Sequence, residues 1–457
     1  MFERFEIVET ALVQFVQERK FAAARSVLAT MNPGDIAAMF GHMKEKTIAL
    51  LFRLLPKDVA AETFAEMEPE DQEILIEGFS ENELKEVLEG LSDDDAADLV
   101  EEMPANVVRR LLKQVDPQMR RTVNHLLRYP EDSAGSIMTT EYVTLRPDMT
   151  VEESILRIRR QGVDKETVYT CYVTENRVLV GIVTVRQLLC CEDETLIKDI
   201  MLTNILSVTT STHREEAAQL LSRYNFLALP VVDGENRLVG IVTFDDAMDV
   251  LEDAATEDME LMGGMTPSEK TYLRSSPGEL FKNRVPWLML LMVSATFTGL
   301  IITAFEGALA AQVALTAFIP MLMGTGGNSG SQSSVTVIRA LSLGELRLGD
   351  VWRVIGKELC TAALCGLALA AVCFGKIWLV DRMLMGNTAI TWQVDLVVCL
   401  TLAVTVVAAK LVGCTLPMAA KALKLDPAVM ASPFISTIVD ALSLLVYFLF
   451  ARMVLGV

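Results

Sequence analysis

The sequence predicts a multidomain membrane protein with an N-terminal α-helical solenoid, a tandem α/β region, a connecting helix and a five-span α-helical membrane domain. Charge is divided unequally along the chain. Residues up to Glu279 contain 52 acidic and 28 basic side chains, whereas the remainder contains 8 and 12, and the whole chain has a net charge of −20. An internal duplication in the acidic part and long apolar stretches in the rest support the same division.

The composition argues against several classes of protein. A strongly acidic surface repels nucleic acid and attracts cations, so no nucleic-acid partner is expected. The eight cysteines show no paired metal-ligand spacing, which is typical of buried thiols in a reducing compartment. The first residues, MFERFEIVET, lack the basic and apolar regions of a signal peptide. We therefore expect the acidic part to be cytoplasmic.

Residues 1–130 are predicted to form a small solenoid of short helices. Three segments, which start at Met31, Leu55 and Leu91, each contain an Ala pair and a Met twelve residues after the start. Pro, Ser and Asp near these starts are helix-start signals, and the Ala pairs allow helices to approach closely. The weak repeat therefore indicates stacked helices.

Residues 131–251 contain a clearer duplication. The segment YVTENRVLVGIVTVRQLL, from Tyr172, recurs as VVDGENRLVGIVTFDDAM from Val231. An Ile-Met pair, a short Val/Thr strand and a helix that starts with acidic residues precede each copy. The order of strand, helix, strand, Gly turn, strand and helix resembles the CBS domain family. Two such domains in tandem normally form one pseudo-symmetric disc.

A helix is predicted from Asp245 to about Ser276, and residues 252–283 are assigned to the connecting helix between the duplicated region and the membrane part. Acidic side chains recur at helical spacing along it and so lie on one face. Like charges stacked in this way destabilise an isolated helix by roughly 0.2–0.5 kcal/mol per pair. An ordinary solvated face is the alternative interpretation. The acidic stripe consists of Asp245, Asp249, Glu252 or Asp253, and Glu257.

The membrane domain is predicted to occupy residues 284–457. Five apolar stretches are each close to the roughly 20 residues that a helix needs to cross a bilayer. Basic residues are concentrated on the side of the membrane that carries the N-terminus. We therefore expect a protein of the cell (inner) membrane, with its soluble domains in the cytoplasm and its C-terminus on the outer side. The stretches are residues 286–305, 312–338, 357–379, 392–414 and 429–455.

The second stretch contains GTGGNSGSQSS, residues 324–334. This segment is too rich in glycine and polar residues to face lipid as a regular helix. An irregular, pore-lining segment with exposed carbonyl groups is one interpretation. Close packing of small residues between neighbouring helices is the other, and the two are compatible with one another.

The last stretch contains an intramembrane acid, Asp440, and two prolines, Pro427 and Pro433. Asp near a helix centre costs about 3 kcal/mol to insert and usually marks an ion or substrate path. Each proline removes a helical N–H donor and so frees a carbonyl oxygen. Carboxylate and carbonyl oxygens together suit a hard cation. Pairing of Asp440 within the bundle is the alternative.

The domain order, together with GTGGNSGSQSS and DPAVMASPFISTIVD, resembles the MgtE family of magnesium channels across essentially the whole chain. The resemblance implies a homodimeric channel or transporter for magnesium uptake in a lipid bilayer, and not an enzyme. It implies a pore on the two-fold axis, lined by the last span, and a connecting helix that acts as a plug. Mg²⁺ would bind Asp440, with Asn328, Ala428 and Ser432 as its expected neighbours.

In this family Mg²⁺ is also regulatory, because Mg²⁺ bound between the acidic soluble domains holds the pore shut. We expect the acidic surfaces to repel one another when internal Mg²⁺ is low and to be bridged when it is high. CBS pairs in many proteins bind adenine nucleotides, and the sequence leaves open whether ATP or another adenine nucleotide binds here. Thr184, Thr243 and Asp245 lie where such contacts commonly fall. The expected sensor residues are Glu62, Asp94, Asp98, Glu215, Asp249, Glu252, Asp253, Glu257 and Asp258.

Three other functions fit parts of the sequence. An intramembrane zinc protease is excluded because His42, His125 and His213, the only histidines, all precede the membrane part. A secondary carrier would typically show an internal repeat among its spans, and none is evident. A channel for Co²⁺, Ni²⁺ or Mn²⁺ remains open, although oxygen ligands without His or Cys favour Mg²⁺.

Overall fold

The computed structural model describes residues 2–162, 165–268, 270, 272–386, 390–430 and 432–456, with backbone but not side chains at 2–4, 58, 102, 105 and 432. The chain divides into two compact units, one up to Leu251 and one from Glu252 onward. Each unit has its own architecture and is described by itself.

Short helices fill the first part of the N-terminal unit. Several begin at side chains that accept a hydrogen bond from a free backbone N–H group; Ser80, for example, forms a capping box with Glu83. The elements are α1 (Phe2–Gln17), α2 (Phe21–Leu28), α3 (Pro33–Phe40), α4 (Glu45–Phe52), α5 (Lys57–Ala65), α6 (Pro69–Gly78), α7 (Glu81–Leu88), α8 (Asp93–Glu102), α9 (Ala105–Gln114) and α10 (Pro117–Leu126).

The predicted helical repeat is confirmed at the level of its buried positions. The recurring methionines Met43, Met67 and Met103 are each at most 6% exposed. At least one alanine of each pair is buried beside them. Both residue types therefore form the core between successive short helices, which is why they recur along the sequence.

The duplicated region forms two three-stranded sheets with the same topology. In each sheet the first strand pairs in parallel with the second, and the second pairs antiparallel with the third. The elements are β1 (Thr144–Leu145), α11 (Val151–Gln161), β2 (Thr170–Glu175), β3 (Val178–Thr184), α12 (Val185–Cys190), α13 (Ile197–Ile200), β4 (Val208–Thr209), α14 (Arg214–Tyr224), β5 (Ala228–Val232) and β6 (Leu238–Thr243).

The repeated Ile-Met and Gly-Ile-Val-Thr motifs fit one another across the two copies. A Cβ atom on Gly240 of the second copy would lie 2.5 Å from Sδ of Met138, which precedes the first copy. A Cβ atom on Gly181 of the first copy would lie 2.5 Å from Sδ of Met201, which precedes the second. Each glycine thus provides space for a methionine that belongs to the other half.

The connecting helix differs from its predicted bounds. Helix α15 (Phe244–Met262) begins directly after the last strand and ends 21 residues before the predicted end at 283. It stops because Gly264 adopts a left-handed conformation (φ +71°). The N–H groups of Gly264 and Met265 then bond to the carbonyls of Leu261 and Glu260, a Schellman motif.

The C-terminal unit is a bundle of long helices. Within the described residues, four helical segments are long and apolar enough to span a membrane: 277–304, 348–384, 392–422 and 427–455. The elements are α16 (Pro277–Ala304), α17 (Glu306–Ala311), a 3₁₀ segment (Val313–Phe318), α18 (Ile319–Ser342), a 3₁₀ turn (Leu348–Asp350), α19 (Val351–Lys376), a π-helical segment (Ile377–Leu384), α20 (Trp392–Ala422), a 3₁₀ turn (Pro427–Met430) and α21 (Ser432–Leu455).

Helix α18 corresponds to the second predicted span, and it contains GTGGNSGSQSS. Its mean hydropathy is lowered by glycine and serine, so it is not among the four segments and the count of five spans stays a prediction. The expectation of irregular backbone here is wrong, because residues 319–342 form one continuous α-helix. Close packing of small residues is observed at Gly326 and Gly330, and a pore-lining role for the polar side chains of this segment stays a prediction.

We expect Gly240→Ala to destabilise the N-terminal unit, because the new Cβ would lie 2.5 Å from Met138 Sδ and 2.9 Å from the Thr139 carbonyl oxygen. Overpacking of this kind costs typically about 1–3 kcal/mol. The control is Gly234→Ala, where no atom lies within 4 Å of the new Cβ. Thermal unfolding of the detergent-solubilised chain would show a lower Tm for Gly240→Ala alone. Equal Tm values for the two variants would contradict the proposed fit.

Candidate functional site

The glycine face of α18 lies against the backbone of α20 and against side chains of α21. A Cβ atom on Gly326 would come within 2.8 Å of Thr405 Cγ2 and 2.9 Å of Ser443 Oγ. A Cβ atom on Gly413 would lie 2.2 Å from the carbonyl oxygen of Gly330. No side chain larger than hydrogen fits at these crossings, so glycine is what allows the helices to approach this closely.

Asp440 lies on α21, half-buried, next to Val439, which packs against the glycine face of α18. No lysine or arginine of the described residues lies within ion-pair distance of its carboxylate. Other acids of the same bundle have such partners. The pairs are Glu358 with Lys410 (3.9 Å), Asp381 with Lys376 (2.8 Å) and Asp395 with Arg382 (2.7 Å).

The predicted neighbours of Asp440 lie in different surroundings. Asn328 is exposed on α18, beside Gly327, whose Cβ position is 3.3 Å from Ser436 Oγ, one turn before Asp440. Ala428 is fully buried, so its side chain faces packed residues and only its carbonyl oxygen is suited to an ion. The side chain of Ser432 is outside the described residues. The shared role of the four residues stays a prediction.

The end of α15 packs at the start of α21. Met262, near the C-terminal end of α15, contacts the hydrophobic cluster that contains Ala428 and Ile338. Gly264 follows it, and its Cβ position is 3.0 Å from Cγ of Pro433. One turn earlier in the same helix, the Asp258 carboxylate accepts a hydrogen bond from Ser342 Oγ at 2.9 Å. The connecting helix thus reaches the beginning of the helix that carries Asp440.

Acidic side chains converge in the N-terminal unit around Asp94 of α8. Asp94 is 6% exposed, and its Oδ1 atom has no hydrogen-bond partner among the described residues. Burial, together with the neighbouring Asp95, raises the pKa of Asp94 to about 6. Burial and then the charge of Asp94 raise the pKa of Asp246 above its usual value.

Glu166 joins this group from the first copy of the repeat. Part of its surface remains exposed, and its partial burial, followed by the charges of Asp94 and Asp245, raises its pKa to about 7. Mutual repulsion among carboxylates disfavours the charged form unless a cation lies between them. Protonation therefore relieves the repulsion within this group.

Of the predicted sensor residues, Asp94 lies in this group. Asp94 and Asp245, the latter a predicted nucleotide contact, both act electrostatically on Glu166 and Asp246, which the sequence does not single out. Among the residues described, no three acidic, His or Cys side chains are placed closely enough to hold a metal. The other predicted sensor residues are exposed (Glu62, Asp98, Asp249, Glu252, Asp253, Glu257) or half-buried (Glu215, Asp258).

The predicted nucleotide contacts are placed at the starts of helices. Thr184 caps α12 by accepting a hydrogen bond from the N–H of Gln187 at 3.3 Å. The hydroxyl of Thr243 donates to the carboxylate of Asp246. Asp245 is exposed at the start of α15. The two threonines therefore occupy equivalent places in the two copies.

Comparison with known families agrees with this architecture. Residues 319–450 match MgtE, described as a divalent cation transporter. Residues 31–132 match the MgtE intracellular N domain, and residues 134–191 and 197–253 each match the CBS domain. The matched regions follow the division into helical, duplicated and membrane parts.

Individual relatives extend the similarity to the full length. The magnesium transporter MgtE of Thermus thermophilus is 38% identical and covers 98% of this chain and 99% of its own. Its counterpart in Bacillus subtilis is 34% identical, covering 96% and 95%. A solved structure, the cytosolic domain of the Mg²⁺ channel MgtE in complex with ATP, is 40% identical with a TM-score of 0.51 over 53% of this chain and 99% of its own.

Identity of this level across nearly the whole length leaves no domain of either relative without a counterpart. A CBS pair precedes helices of which four, among the described residues, are long and apolar enough to span a membrane, as expected of a membrane transporter. The chain belongs to the MgtE family of divalent cation transporters.

Proposed function

We propose that the protein is a Mg²⁺-selective channel for magnesium uptake that cytoplasmic Mg²⁺ closes. The observation that carries this proposal is the position of Asp440, a carboxylate in an apolar bundle with no cationic partner among the described residues. An acid so placed usually marks an ion path. The transporters named among its full-length relatives support magnesium as the ion.

The pore would form in a homodimer of five-span subunits, with α21 of each subunit on the two-fold axis. Two copies of Asp440 would then face one another, and their repulsion at low dielectric would be relieved by a divalent ion between them. Mg²⁺ sheds water reluctantly, so the carboxylates would hold it through its water shell. Asn328, the carbonyl oxygen of Ala428 and Ser432 are the proposed further ligands of these waters.

Closure would use the connecting helix as a plug. The packing of Met262 and Gly264 against the start of α21 supports this role. Mg²⁺ bound among the acidic surfaces would hold the helix in place, and loss of Mg²⁺ would release it through like-charge repulsion. The soluble domains would lie in the cytoplasm and the C-terminus outside, as the distribution of basic residues indicates. No enzymatic activity is proposed.

Two further points concern ligands. Co²⁺, Ni²⁺ or Mn²⁺ could replace Mg²⁺ as the transported ion, and the oxygen-only pore residues favour Mg²⁺.

ATP or another adenine nucleotide is proposed as a ligand of the CBS pair, supported by the relative solved with ATP. Calorimetry on the full chain should detect ATP binding that Asp245→Ala weakens. Unchanged affinity in both Asp245→Ala and Thr184→Ala would contradict this assignment.

We expect Asp440→Asn to reduce Mg²⁺ flux into liposomes by about tenfold or more, because the amide lacks the charge that holds a hydrated divalent ion. The matched control is Glu306→Gln, an acid-to-amide change at an exposed position of the same unit. Flux would be measured at low Mg²⁺ on the cytoplasmic side. Native flux and selectivity in Asp440→Asn would remove this residue from the pore.

We expect the N-terminal unit to lose stability as pH rises from about 5 to 8 without divalent ions. Raised folded-state pKa values, about 6 for Asp94 and about 7 for Glu166, mean that the protonated forms stabilise the fold and that this contribution is lost above those values. Tm should fall by about 2–4 °C for each kcal/mol lost. Mg²⁺ should raise Tm strongly at pH 8 and little at pH 5.

The variant that tests this prediction is Asp94→Asn, which should reduce both the pH dependence and the stabilisation by Mg²⁺. Glu192→Gln, at an exposed acid of the same unit, is the control. A Tm that rises with pH in the native chain, or the same Mg²⁺ effect at both pH values, would contradict the proposed role of the buried acids.

A further inference from the structure

A charged side chain lies deep in the apolar bundle, away from Asp440. Lys410 is 5% exposed, near the middle of the 31-residue helix α20. Its Nζ atom lies 3.9 Å from Oε2 of Glu358 on α19. Removing an ammonium group from water is costly. An ion pair offsets that desolvation free energy only when its geometry is good and additional hydrogen bonds are made.

Ser333 of α18 forms hydrogen bonds to both members of this ion pair. Its hydroxyl donates to Glu358 Oε2 at 2.5 Å and accepts from Lys410 Nζ at 3.4 Å. Ser333 is 2% exposed and the Glu358 side chain 16%, so Lys410 and Ser333 are buried and Glu358 is largely buried. One residue from each of three helices thus meets in a single network, which we name the Ser333–Glu358–Lys410 triad.

The triad lies one turn from the closest helix crossing. Ser333 follows Gly330 by three residues on α18, and Lys410 precedes Gly413 by three residues on α20. Gly330 and Gly413 are the pair whose backbones touch. A crossing between glycine faces is smooth and has few side chains that would resist sliding or rotation of one helix on the other.

The same part of α18 contacts the helix that carries Asp440. Ser334, next to Ser333, donates a hydrogen bond to the carbonyl oxygen of Met430 at 3.2 Å, just before α21 begins. The Cβ position of Gly330 is 2.8 Å from Ile435 Cγ2 on α21. Any shift of α18 along its axis would therefore move the start of α21.

We propose that the triad sets the register of α18 against α19 and α20, and so positions the start of α21 for conduction. A slide or rotation of α18 would separate the Ser333 hydroxyl from both charged groups. Glu358 and Lys410 would then face each other without their hydrogen bonds to Ser333. Buried polar groups that specify register at some cost in stability are well attested in helical assemblies. This inference rests on the proposed function for its flux readout, and the residues involved are positioning residues.

The test compares single and paired removal of the charges in the full chain, reconstituted in nanodiscs and liposomes. Lys410→Met and Glu358→Gln each leave one buried charge without its partner, so both should lose stability and flux. The double variant Lys410→Met/Glu358→Gln removes both charges at similar volume. Replacing a buried pair in this way is often neutral or stabilising, so Tm should be retained.

In the double variant we nevertheless expect maximal Mg²⁺ flux to fall by about fivefold or more, the lower end of typical coupling effects. Amide hydrogen exchange in residues 428–430 should rise at the same time. Thr361→Val, a polar-to-apolar change on the exposed face of α19, is the control and should alter neither. Exchange at 428–430 is measured whether or not the ion is Mg²⁺, so it separates this inference from the proposed function.

The possible outcomes distinguish a register role of the triad from a role in folding alone. Retained Tm with lower flux and faster exchange supports a register role. Native flux and native exchange in the double variant overturn it, and so does a loss of flux that follows a fall in Tm, which would show a role in folding alone. If the native chain carries no Mg²⁺ flux while Asp440→Asn is equally silent, the proposed function fails, and the exchange data alone then decide the register role.

Discussion

A charge that is removed from water must be neutralised by a proton, by an opposite charge or by a bound ion, and both units follow this constraint. In the membrane unit, the largely buried Glu358 and the buried Asp395 have basic partners. In the N-terminal unit, burial and then the charge of Asp95 raise the pKa of Asp94. Places where neutralisation is incomplete are therefore the places where a cation has most to contribute.

Close backbone contact makes the membrane arrangement possible. Glycines at 326, 330 and 413 bring α18 close to α20 and α21, and at Gly330 and Gly413 the two backbones approach without an intervening side chain. Apolar attraction between helices is weak inside a bilayer, so such contacts and interhelical hydrogen bonds provide much of the packing energy. The small residues of α18 and the polar network at Ser333 are thus complementary, because one allows approach and the other defines position.

Much of the fold was predictable, because the duplication, the buried methionines and the apolar stretches are periodic features that follow from burial. The conformation of GTGGNSGSQSS was not, since glycine and serine are compatible with either loop or helix until the neighbouring helix is known. Asp440 stood out as a single acid in an apolar run. Glu166 and Asp246 did not, because their proximity to Asp94 arises from tertiary packing between distant segments.

The reciprocal fit of Met138 with Gly240, and of Met201 with Gly181, bears on how the duplicated halves can diverge. Each half supplies the space that the other half fills, so neither has a complete interior when it is separated from its partner. A larger residue at one glycine requires a smaller one at its methionine partner, which lies 102 residues earlier in the chain for Gly240 and 20 residues later for Gly181. The two copies are therefore free to change their surfaces independently, whereas these four positions are constrained to be inherited together.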